Sequence, residues 1–194
     1  MQYMAADRHG RRGFALLVAI MFVAVVAVLA AVVTVNLSGD NDTARVQKAN
    51  GVLLQFSREI NSIAPVPAPS FRSQVGVNPG RLSHLMVQIV AADLNSCGNG
   101  YLNPQRTAWR GPYHLVPFQL AGYAIAPGFF ANNQLVRVSA TRLAIVMNNV
   151  AFADAQLLGL IAEGNSTGTG PLVTFTPVGT NPVTVSYNVV ISSC

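Results

Sequence analysis

The chain has 194 residues, a formal charge of +5, 51% hydrophobic residues and only 10% charged ones. Three arginines in the first 13 residues, Arg8, Arg11 and Arg12, outweigh Asp7, and the remainder is only weakly basic. That excludes a nucleic-acid-binding stripe as the dominant feature and leaves solubility to Asn, Ser, Thr and Gln, as suits a subunit that packs against copies of itself.

Residues 1–13 read as a leader. From Phe14 to Val35 every residue but Thr34 is apolar, and no charge appears until Asp40. About 20 apolar residues span a bilayer core as a helix, so residues 14–37 are predicted to be a membrane-inserting helix. The arginines before it and the next cation only at Arg45 keep residues 1–13 in the cytoplasm and send the rest outward. About 155 residues then remain, enough for one domain with its own core.

Ser38-Gly39-Asp40-Asn41-Asp42 is predicted as a break or kink with capping residues. Asp40-Asn41-Asp42 lacks the rest of an oxygen-rich calcium loop, and helix capping is the better reading. Over residues 38–63, Val46, Ala49, Leu53, Phe56, Ile60 and Ile63 recur at spacings of three and four, the stripe of an amphipathic continuation. Pro65, Pro67 and Pro69 end it.

Residues 64–118 read as a long connection with one short helix over Leu82–Leu94. Connections of this length are usually functional or interfacial. Residues 119–194 carry the strand signals: 119–126, 135–147, 172–176 and 183–191, with a helix over Ala153–Glu163 and Gly164 as its C-cap. The expected fold is α+β, a long N-terminal helix laid on a four-stranded antiparallel sheet. Cys97 and Cys194 are the only cysteines. Export to an oxidising space would let them pair, closing a long loop for roughly 4 to 5 kcal/mol; two separate buried thiols are the alternative.

No Gly-x-Ser-x-Gly, no phosphate-binding glycine loop and no metal-ligand spacing among His9, His84 and His114 is present. His84 and His114 read as surface residues. No enzyme, cofactor, metal or small-molecule substrate is predicted. A membrane-anchored enzyme resting on His114 or Asp154 is the weakest rival. Trp109, Tyr113, Arg106 and Arg110 form an aromatic and basic cluster. One reading is contact with a neighbouring subunit or single-stranded nucleic acid; the favoured one is a loop pinned by Trp109 in the core. Phe129-Phe130 is placed in a hairpin loop, as a tip contact or packed on the sheet.

Gly13-Phe14 followed by the apolar run, the long helix feeding a small sheet through a variable connection, and Trp109-Arg110-Gly111-Pro112-Tyr113 together resemble the type IV pilin and type II secretion pseudopilin family. The resemblance implies a pilin-like fold, cleavage after Gly13 by a prepilin peptidase, and methylation of the new N-terminus at Phe14. Implied partners are other pilin or pseudopilin subunits, the peptidase and inner-membrane lipid. Most members carry a glutamate at the fifth mature residue, thought to pair with a neighbour's terminal amine; here that position is Val18. An ion pair half-made in lipid is costly, and some tip subunits lack this glutamate, so the resemblance implies a minor, tip-located subunit. Whether it serves a pilus, secretion or DNA uptake stays open. The remaining rival is a soluble binding or adhesion protein exported by Arg11-Arg12-Gly13-Phe14 as a twin-arginine signal, with Val28-Leu29-Ala30 as the cleavage site.

Overall fold

The computed structural model describes residues 8–61, 69–115 and 122–192; within the first helix, the side chains of residues 8–19 and 28–40 are outside the description. The chain divides into two units, Met1–Asp42 and Thr43–Cys194. Helix α1 runs Arg8–Ile60. The predicted break at Ser38–Asp42 does not end it: Gly, Asn and Asp each cost a helix less than about 1 kcal/mol, which neighbouring turns outweigh. Of the apolar run, residues 20–27 have described side chains, all of them exposed.

In the second unit the stripe behaves as its spacing predicts. Val46, Ala49, Leu53, Phe56 and Ile60 are all fully buried. They share a core with Leu135, Ile145, Tyr187 and Val173, neighbours across four strands. Ile63 lies outside the described residues.

The strands are β1 (Gly122–Ala126), β2 (Phe129–Ser139), β3 (Arg142–Val150), β4 (Val173–Thr176) and β5 (Val183–Val190). They form one antiparallel sheet in the order β1-β2-β3-β5-β4. This corrects the fold expectation: the sheet has five strands, not four. The predicted strand 135–147 is in fact the end of β2 and most of β3, folded back at Ala140-Thr141. Neither residue is a turn former, so no signal interrupted the alternation. The membrane-inserting helix is corrected too: no helix among the described residues is long and apolar enough to cross a membrane.

Pro127-Gly128 makes a two-residue turn between β1 and β2, with Gly128 at φ +82°. Phe129 and Phe130 therefore begin β2 instead of sitting in a loop, and Phe129 is buried. Helix α4 (Phe152–Glu163) bridges β3 and β4, and Gly164 at φ +73° caps it as predicted. At its end Glu163 accepts the backbone N–H groups of Leu172 at 2.7 Å and Val173 at 3.1 Å, holding the start of β4. A Cβ at Gly170 would displace that carboxylate from this position.

The connection is more ordered than predicted. Helix α2 (Phe71–Val75) has a Ser70–Ser73 capping box, and helix α3 is Asn103–Ala108. The expected helix over Leu82–Leu94 shrinks to a 3-10 turn at Leu82–Leu85. Leu82, Leu85 and Ile89 are buried in the common core, while Val87, Val90 and Leu94 are exposed. That split is satisfied by an irregular chain.

Candidate functional site

The first predicted site lies in α1. Gly13, Phe14 and Val18 have helical backbone, and their side chains are outside the described set. Downstream, Ile20, Met21, Phe22, Val23, Val25 and Val26 are 46–70% exposed. Consecutive large apolar residues cover every side of a helix, since 3.6 residues complete a turn. Such a surface is unfavourable in water and marks an interaction site. Ala24 and Ala27 lie among them and permit close backbone approach.

The second predicted cluster, Trp109-Arg110-Gly111-Pro112-Tyr113, is a structural joint. The Trp109 indole donates to the His84 carbonyl at 2.9 Å, and its ring meets Tyr113 edge-on at 5.9 Å. Gly111 is needed because a Cβ would strike the indole. The Tyr113 hydroxyl donates to Gln74 Oε1 at 2.7 Å and accepts the Arg110 N–H at 3.3 Å. Arg106 folds back on Tyr101 O and Asn103 Oδ1, each at 2.8 Å. Only Arg110 presents an exposed cation from this stretch. The pinned-loop reading fits this geometry, although Trp109 is half-buried and packs at the edge of the core.

Both histidines read as surface residues are buried, His84 at 3% and His114 at 3% exposure. Each was misread because its polar partners come from distant sequence. His114 Nδ1 donates to Glu59, 3.0 Å from either carboxylate oxygen, and Nε2 lies 3.2 Å from the Tyr123 hydroxyl. Gln55 also donates to Glu59 at 2.8 Å. This chain of bonds joins α1 to β1 beside Phe56, whose ring lies 4.7 Å from the imidazole. Burial, reinforced by the Glu59 charge, pushes the Tyr123 phenol above its ordinary range.

His84 sits in a second network. The Tyr101 hydroxyl accepts the Gly80 N–H at 3.3 Å and donates to His84 Nδ1 at 3.0 Å. The other nitrogen faces Asp93 Oδ1 at 3.6 Å, beyond hydrogen-bond length. Burial lowers the His84 pKa, with the Asp93 carboxylate partly opposing. Burial likewise raises Tyr101. Asp154, read as a scattered acid, is 6% exposed and paired to Arg45 at 2.7 Å. Arg45 also donates to the Pro127 carbonyl at 3.2 Å, fixing the β1–β2 turn against α1.

Cys97 takes part in a disulfide. Its predicted partner, Cys194, lies outside the described residues. Among the described residues no three His, Cys, Asp or Glu side chains gather as a metal site.

No family model, curated protein or solved structure matches the chain.

Proposed function

We propose that this protein is a minor structural subunit of an envelope-spanning fibre of the type IV pilus or type II secretion kind. In this reading the precursor is held at the inner membrane, with the sheet unit outside the cytoplasm. A prepilin peptidase cuts after Gly13. The freed N-terminal segment then packs against the equivalent segments of other subunits. Val18, in place of a glutamate, gives a neighbour's terminal amine no carboxylate, which fits a place at the tip, where no subunit lies beyond.

The observation that carries this reading is the belt of exposed apolar side chains at Ile20–Val26, downstream of the Gly13-Phe14 junction. In a water-soluble protein about six large exposed apolar residues in one stretch are a liability; in lipid or a helix bundle they are the contact surface. The test is the mass of the mature chain in a host with an active prepilin peptidase. The expected N-terminus is methylated Phe14. A start at Met1 or at Ala31 overturns the proposal, the latter in favour of a signal-peptide-exported soluble protein.

A further inference from the structure

A cleft of about 820 Å³ opens in the sheet unit, beside the β1–β2 turn. Its walls include Lys48 from α1, Phe130 and Asn132 from β2, and Asn148 and Asn149 from β3. Three sheet irregularities converge on it. Pairing slips between Ala124 and Ala126 in β1, between Ala131 and Leu135 in β2, and between Met147 and Val150 in β3. Bulges re-aim side chains, and they gather beside binding sites. Asn149 also holds φ +57°, the sole non-glycine residue with positive φ among those described.

The polar groups of the cleft are unspent. Among the described residues, the amides of Asn132 and Asn149 make no hydrogen bond with the protein, and Asn148 only accepts, from Thr184 at 3.3 Å. Lys48 is the chain's sole lysine and pairs with no described carboxylate. Asp154, close behind Gly128, is engaged by Arg45. Among the described residues no carboxylate lines the cleft. Phe130 adds an aromatic ring, seated against Gly122, where a side chain would collide with it.

These groups select a ligand class. An asparagine amide offers a donor and an acceptor side by side, which matches two adjacent hydroxyls. Three such amides and an aromatic ring suit a pyranose, with polar edges and apolar C–H faces. One unpaired cation with no competing acid favours a carboxylate on that sugar. We infer that the cleft binds an acidic saccharide, with Asn132, Asn148 and Asn149 on its hydroxyls, Phe130 against its ring and Lys48 on its carboxylate. The site lies wholly within the unit Thr43–Cys194 and stands independently of the fibre proposal.

The test uses the full chain in a zwitterionic detergent free of sugar and phosphate groups. The probe is a tetrasaccharide alternating glucuronic acid and N-acetylglucosamine, followed by saturation-transfer NMR and titration. The neutral comparison is the N-acetylglucosamine tetramer. The acidic probe is expected to saturate the protein and bind about tenfold tighter than the neutral one. K48A is expected to erase that preference while leaving neutral-sugar binding unchanged, and the exposed position of Lys48 keeps the fold intact. N132A combined with N149A is expected to weaken both probes about tenfold, with an unaltered melting curve. Equal affinity for the two probes, an acidic preference that survives K48A, or no saturation by either probe would overturn the inference.

Discussion

Two stretches of α1 both carry large apolar residues and have opposite fates. Residues 20–26 expose large side chains on every side, from 46% at Val26 to 70% at Phe22. Residues 46–60 place five apolar side chains on one stripe and bury all of them completely. The difference is in the spacing. An apolar residue every third or fourth position leaves the other faces to Arg45, Lys48, Arg58 and Glu59, and the folded chain can cover the stripe. An unbroken run has no polar face to leave in water, and in the proposed reading its cover comes from other subunits.

The largest expected effect tests this contrast directly. Phe56→Ala removes a fully buried ring that touches His114 and Tyr123, and is expected to cost about 3 to 5 kcal/mol in denaturant unfolding. Phe22→Ala, the same change in the exposed stretch, is expected to move that unfolding by less than about 0.5 kcal/mol. Equal costs at the two positions would erase the distinction.

The ties holding the stripe in place come next. Arg45→Met leaves Asp154 buried without its guanidinium and is expected to cost about 2 to 3 kcal/mol; adding Asp154→Asn is expected to recover part of it. A double-mutant cycle with no coupling would show that the pair does not anchor α1 to the β1–β2 turn. At the far side of the sheet, Glu163→Gln exchanges one acceptor oxygen for a donor facing a backbone N–H. The expected loss is about 1 to 3 kcal/mol, with faster amide exchange at Leu172 and Val173.

The smallest effect is a pH dependence. The folded-state pKa of His84 lies below 6.5, so in acid the unfolded chain takes up a proton that the folded chain resists. This contribution to stability is complete above pH 6.5 and is lost as pH falls from there through the lowered folded value. His84→Gln is expected to flatten that part of the stability–pH curve. An unchanged slope in the variant would assign the acid sensitivity to another group.

The helical stripe and strand β5 were legible in the sequence because periodicity alone carries them: Val183, Val185, Tyr187 and Val189 alternate and are buried. What stayed hidden depended on partners far along the chain. The turn at Ala140-Thr141 has no glycine, proline or asparagine to announce it, so two strands were merged. Nothing local to His114 reveals Glu59, 55 positions away, or that the pair would be buried. The cleft at Lys48, Asn132 and Asn149 gave no motif, since its residues come from three elements and its asparagines lie at bulges. The Gly13-Phe14 junction was the opposite case, explicit in sequence and carrying no described side chains.

The central claim is that the uncut precursor stays at the inner membrane until proteolysis releases it for packing. Carbonate fractionation of cells lacking prepilin peptidase tests it most directly. The account predicts intact precursor, starting before Gly13, wholly in the membrane pellet. A shortened, freely soluble form in those cells would contradict it.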